Sequence, residues 1–259
     1  MIGSTVLGFG TEMGTSTSHT AIMAHALGIP AVVGVEMLTE RIAAGEMVIV
    51  DGNDGSVIIG PDADTMEEYR ERAAKYAELE KKLLSHREQP AVTVDGVRIN
   101  LLANIEFPAE AAMALDYGAE GVGLYRTEFM YLTRPEPPSE EEQYRIYRIV
   151  AETLAPRSVV FRTFDLGADK LRSKTGAEEI NPALGLRAIR LGLKDRAMFK
   201  THLRALLRAA AGETLHIMFP MISGLGELRQ VKAFLKEVEK DVGKETPKEI
   251  RIGCMIELP

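Results

Sequence analysis

The sequence predicts an α/β protein: a small region of short strands with one helix, a long helix, then about five strands alternating with helices, as in an open doubly wound sheet or, better, a (β/α)8 barrel. Three observations carry that reading. Strand and helix patterns alternate from Val92 onward, which means a parallel sheet with crossover helices. Residues 61–89 form one charged amphipathic stretch. Polar residues stand just past the ends of successive predicted strands, the face on which barrel active sites are built.

In residues 1–60, Val6–Phe9, Ala31–Val35, Met47–Asp51 and Val57–Ile59 read as strands. The run Gly52, Asn53, Asp54, Gly55 supplies a turn between the last two. Thr20–Leu27 reads as a helix, preceded by the capping types Thr17 and Ser18 and ended by Gly28 and Pro30. In residues 61–89, Tyr69, Ala73, Tyr76, Leu79 and Leu83 recur at helical spacing until Pro90. That helix suits a connector between two bodies, and its pattern equally suits a helix packed on one of them.

Beyond Val92, strands are expected at Arg98–Ala103, Gly121–Tyr125, Ser158–Phe164, Leu215–Met221 and Glu249–Ile256. Helices are expected at Pro108–Tyr117, Ser139–Leu154, Ala197–Ala210 and Leu225–Asp241. An open doubly wound sheet and a barrel both fit this alternation. No Gly-x-Gly-x-x-Gly fingerprint follows the first strand, and Gly121-Val122-Gly123 opens a strand rather than a helix, which disfavours a dinucleotide fold. Arg126 and Glu128, then Asp165 and Lys170, then Glu257 follow strand ends, which favours the barrel.

The totals narrow the function classes. A chain of 259 residues with a 46% apolar share buries a sizeable core without staples. The net charge of −7 and scattered basic residues argue against a nucleic-acid or anionic-membrane binder. One cysteine, Cys254, permits no internal disulfide and fits a reducing cytoplasm. No secretion signal is evident, and no apolar run approaches the ~18 residues of a membrane span.

Three constellations could carry chemistry. His19 sits among hydroxyl residues at a helix start, where backbone N–H groups and the helix dipole attract anions. An imidazole nitrogen there could attack a phosphoryl group. Taken alone, a histidine in that place is more often a cap or a surface residue. Arg162 closes the apolar run Val159-Val160-Phe161, and a buried guanidinium needs a partner. A bound anion is one remedy and a neighbouring Asp165 or Asp169 is the other. Glu257 ends Met255-Ile256 and could ligate a hard divalent ion, although one carboxylate makes a poor site. Cys254 and His216 lie in apolar runs and read as core, and Glu140-Glu141-Glu142 reads as a helix first turn.

Together these segments resemble one family in order and spacing. Thr17-Ser18-His19-Thr20-Ala21-Ile22-Met23-Ala24 resembles the phosphohistidine motif of the phosphoenolpyruvate-utilising enzymes. Gly118 to Phe129, with Arg126, resembles the start of their substrate-binding barrel. The stretches Pro138–Tyr144, Arg162–Lys170 and Glu179–Arg187 are most similar to enzyme I of the bacterial sugar phosphotransferase system. The resemblance implies an incomplete phosphohistidine swivelling domain over 1–60, a linker helix over 61–90, and the N-terminal part of a phosphoenolpyruvate-binding barrel over 91–259. It implies that His19 is the residue phosphorylated. Arg126 and Arg162 would grip the phosphate and carboxylate of phosphoenolpyruvate, with Arg187 and Lys170 close by. Glu257 would be one of two carboxylates holding Mg²⁺, the second lying outside this chain. A small histidine-containing phosphocarrier protein would receive the phosphate, and the resemblance implies a cytoplasmic protein that is a homodimer at full length.

Two departures from the family pattern stand out. Thr15 and Ser16 replace a Gly-Arg pair before the histidine motif, and His25 replaces a following arginine. Both remove positive charge beside His19, so weaker phosphate handling is expected. Only 18 residues precede His19, so the chain is expected to be a fragment at both ends, and its open barrel to need a partner or self-association. The alternatives are an inactive fragment serving as a binding or regulatory module, and a piece of pyruvate phosphate dikinase or phosphoenolpyruvate synthase.

Overall fold

The computed structural model describes residues 6–14, 24, 28–132, 134, 136–167 and 185–258. The chain divides into two compact units, Met1–Gln89 and Pro90–Pro259.

In the first unit, β1 (Phe9–Thr11) pairs in parallel with β2 (Ala31–Val33), and β3 (Val48–Asp51) forms an antiparallel hairpin with β4 (Ser56–Ile59). The expected turn joins β3 to β4. The Asp51 carboxylate accepts the Asn53 and Asp54 amides there, and Gly55 takes φ +67°, which a glycine allows without strain. β1 starts later than the expected Val6, because Phe9 is the residue that reaches the Pro30 carbonyl while Val6 and Leu7 stay exposed. A one-turn helix, α1 (Leu38–Arg41), was not legible in the sequence. The long helix α2 (Ala63–Leu84) is capped by Asp62, whose carboxylate accepts the Thr65 amide at 2.8 Å. It belongs to this unit: Arg72 reaches Asp54 at 2.6 Å and Asp51 at 3.4 Å in the hairpin.

The second unit has a five-stranded parallel sheet in sequence order: β5 (Ala103–Ile105), β6 (Val122–Arg126), β7 (Val159–Arg162), β8 (Thr214–Phe219) and β9 (Glu249–Cys254). Between the strands run α3 (Ala109–Asp116), α4 (Phe129–Leu132), α5 (Glu140–Leu154), α6 (Ala188–Lys194), α7 (Arg196–Ala209) and α8 (Leu225–Val242). The expected α/β architecture is therefore present. The sheet is open, with β5 and β9 as its edges.

Alternation along the strands sorts the two faces. Tyr125, Phe161, Ile217 and Phe219 are buried beneath the helices, with Tyr125 and Phe161 edge-on to Tyr147 of α5 and Phe219 edge-on to Phe199 of α7. Leu124, Val160, His216 and Met218 lie on the opposite face and are half-buried. α5 begins at a capping box: Ser139 Oγ accepts the Glu142 amide, and Glu142 accepts the Ser139 amide. That amide, the Ser139 hydroxyl and Arg134 hold the Glu142 carboxyl well below the usual range. No helix among the described residues is long and apolar enough to cross a membrane.

One expected strand is misplaced. Arg98–Ala103 is not the first strand; Ala103 is only its first residue. The Asp95-Gly96 turn folds 91–99 back on itself, with Thr93 N–H to Val97 O and Ile99 N–H to Ala91 O. The parallel ladder begins where Ala103 N–H meets Gly121 O.

Candidate functional site

Parallel strands in register bring their last residues into a row. Arg126, the last residue of β6, is paired with Arg162, the last of β7, and Arg162 with Met218 of β8. Paired residues on adjacent strands point to the same face about 4.8 Å apart. Both arginines therefore leave the sheet on the same side, away from the helix-covered core. Thr127 ties the two strand ends together, its hydroxyl donating to the Arg162 carbonyl at 3.0 Å.

Two like charges that close need counter-charges, and three carboxylates supply them. Glu106, just past β5, holds Arg126 Nη2 at 3.1 Å. Glu128 accepts Arg162 Nη2 at 3.1 Å and the Asp165 amide at 2.6 Å. Asp165 stands 3.6 Å from Arg162 Nη1 and takes Arg187 in two-point fashion, at 2.6 Å from Nε and 3.0 Å from Nη2. The result is a chain Glu128–Arg162–Asp165–Arg187 running across the end of the sheet. The Asp165 carboxylate raises the Arg187 pKa, and Glu257 adds to the effect. Burial raises the Glu128 pKa, with Arg162 working against it.

Among the described residues the guanidinium groups are not saturated. Arg126 Nε and Arg162 Nε are buried and have no hydrogen-bond partner among the described residues. Arg162 Nη1 has Met255 Sδ at 3.9 Å, a weak acceptor. Buried donors without partners are costly, and a small anion on these arginines would satisfy them.

The family follows from comparison with known proteins. A family described as PEP-utilising enzyme, PEP-binding domain, matches residues 80–259, and its companion, PEP-utilising enzyme, mobile domain, matches residues 1–55. The chain belongs to the PEP-utilising enzymes. It is 44% identical over 258 residues to the phosphoenolpyruvate-protein phosphotransferase of Staphylococcus aureus, and 46% identical over 258 residues to that of Geobacillus stearothermophilus. Each alignment covers 98% of this chain and 45% of the relative, so the chain spans about half the length of the curated relatives it matches.

Of the residues expected to form this PEP-utilising enzyme's site, the structure brings Arg126, Arg162 and Arg187 to one end of the sheet. Glu257 lies at the same end, where Oε1 accepts the Met221 amide at 2.7 Å. Met221 itself sits in the left-handed region at φ 57°, a costly conformation for a residue with a side chain. Among the described residues no group of three metal-ligating side chains converges. A single carboxylate with one oxygen on a backbone amide does not by itself make a Mg²⁺ site, and a second carboxylate would be needed beside Glu257. His19, Lys170, Asp169 and the expected helix Thr20–Leu27 lie outside the described residues, apart from Ala24.

For Arg162 the neighbouring-carboxylate remedy is present, but Glu128 is the closer partner and Asp165 the farther one. Glu106 was missed. The signal was its place immediately after a strand, and the misplaced first strand hid it.

Proposed function

We propose that this chain is the part of a phosphoenolpyruvate-protein phosphotransferase that binds phosphoenolpyruvate and carries the phosphorylated histidine. The observation that carries the reading is the registered pair Arg126 and Arg162, each with a buried Nε–H that has no partner among the described residues. Arg126 and Arg162 bind the phosphate and carboxylate, and Arg187 and Lys170 add positive charge nearby. In the transfer, the ester P–O bond of phosphoenolpyruvate breaks and an N–P bond forms on the His19 ring. The enolate leaves and takes a proton to give pyruvate. The arginines neutralise charge on the transferring group, which is the main task in this chemistry. Glu257 would supply one carboxylate toward Mg²⁺. His19 then passes the group to a histidine-containing phosphocarrier protein in a cytoplasmic sugar phosphotransfer system, the whole enzyme working as a homodimer. The names of the relatives and the two matching domain families support this reading.

A second reading is a catalytically silent binding module, favoured by Ser16 and His25 where the family pattern has arginines. One experiment separates the two. The chain is incubated with labelled phosphoenolpyruvate and Mg²⁺ beside His19→Ala. Acid-labile label lost in the variant supports transfer; no label on folded protein supports the silent module.

A further inference from the structure

We propose that Glu128 is a positioning residue for Arg162 and takes up one proton from solvent when phosphoenolpyruvate docks on the arginines. The inference rests on the arginine row being the phosphoenolpyruvate site.

The geometry carries it in three steps. First, among the described residues two guanidinium groups, Arg162 and Arg187, face two carboxylates, Glu128 and Asp165, within one connected set of contacts, so the charges of that set balance. A multiply charged anion on Arg162 unbalances the set. The carboxylates are shielded from water, at 9% side-chain exposure each, so solvent cannot screen the excess. Second, the two carboxylates differ in their room for a proton. Both Asp165 oxygens face guanidinium nitrogens: Oδ1 meets Arg187 Nε, and Oδ2 meets Arg187 Nη2 and Arg162 Nη1. On Glu128 the Arg162 and Asp165 donors both fall on Oε1, and the carboxylate also accepts its own backbone N–H; among the described residues no guanidinium hydrogen bond reaches Oε2, the oxygen on which a proton can add. Third, the other groups facing Glu128 do not supply a competing charge. Tyr125 of β6, Tyr131 of α4 and Tyr147 of α5 are buried, and burial raises all three hydroxyls further out of the titrating range. Arg187, beyond Asp165, also interacts with the Glu128 charge among the described residues. Burial has already moved the Glu128 carboxyl toward its neutral form. The step forms one O–H bond on the carboxylate with a proton released by the buffer, and nothing is oxidised or reduced.

The test is isothermal titration calorimetry of the chain with phosphoenolpyruvate at pH 7, in two buffers of different ionisation enthalpy, for wild type and Glu128→Gln. The substrate's own titration contributes to both proteins and cancels in the difference. Wild type is expected to take up more protons per bound molecule, by about one at most, and to lose affinity up to about ten-fold per pH unit relative to the variant as pH rises. Equal proton counts overturn the proposal. A merely structural role would change affinity without changing the count. Should Glu128→Gln fail to fold, carbon-13 NMR of the wild-type Glu128 carboxyl decides: a shift to the protonated position on saturation supports the proposal, and an unmoved signal overturns it. Absence of any binding by wild type overturns the site assignment and this inference with it. Binding with the same proton count in wild type and variant overturns this inference alone.

Discussion

His202 gives the sharpest prediction of pH-dependent stability. It is fully buried in α7, with Nδ1 2.9 Å from Gln143 Oε1, 3.1 Å from Tyr147 Oη and 3.3 Å from Tyr131 Oη. Its Nε2 has no partner among the described residues. Burial lowers its pKa from 6.5 to about 3, so the folded state holds the ring neutral. The unfolded chain binds a proton there near the ordinary value. A depressed pKa contributes stability that is present above the unfolded value and lost as pH falls toward the folded one. Between pH 7 and pH 5 one such histidine removes about 2 kcal/mol, a sizeable share of the ~5–15 kcal/mol of a whole domain. The assay is urea unfolding at pH 7, 6 and 5, followed by the near-ultraviolet circular dichroism of buried Tyr125, Tyr131 and Tyr147; the chain has no tryptophan to interfere. His202→Gln should be less stable at pH 7, because the hydrogen-bonded cluster is disturbed, and should show a shallower fall toward pH 5. Equal slopes in the two proteins would refute the reasoning.

Three further outcomes are expected. Arg162→Ala should cost more stability than Arg126→Ala, about 3–5 kcal/mol, because it strands the nearly buried Glu128, whereas Arg126 is 40% exposed; both should weaken phosphoenolpyruvate binding in a titration. Gly192→Ala should cost about 1–3 kcal/mol in urea unfolding, because a Cβ there would stand 2.9–3.2 Å from carbons of the Phe199 ring; an unchanged midpoint would show that α6 and α7 can move apart freely. Ser139→Ala should lose about 1 kcal/mol through the capping box, read as a lower unfolding midpoint, while substrate affinity stays unchanged.

Much of this architecture was legible from periodicity. β6 to β9 and the helices α3, α5, α7 and α8 fall within a few residues of their expected places, because alternating and 3.6-residue patterns record which face of each element is buried. Short elements were not legible. α4 and α6, of four and seven residues, are too brief to show a period of their own. The first strand was displaced because Ile99, Leu101 and Leu102 look like strand residues, yet the Asp95-Gly96 turn leaves them half-exposed outside the ladder.

The sequence by itself determined the alternation of strands and helices, the family motifs, and the candidacy of Arg126, Arg162, Arg187 and Glu257. Only the tertiary structure decided which charges meet. Glu106 with Arg126, Glu128 with Arg162, and Asp165 with both Arg162 and Arg187 are set by the register of parallel strands and the paths of the loops beyond them. Glu128 and Arg162 lie 34 residues apart, and Arg162 and Met255 lie 93 apart. No local periodicity spans such distances, because backbone geometry dictates the direction of a side chain but only the packed sheet dictates what stands in front of it.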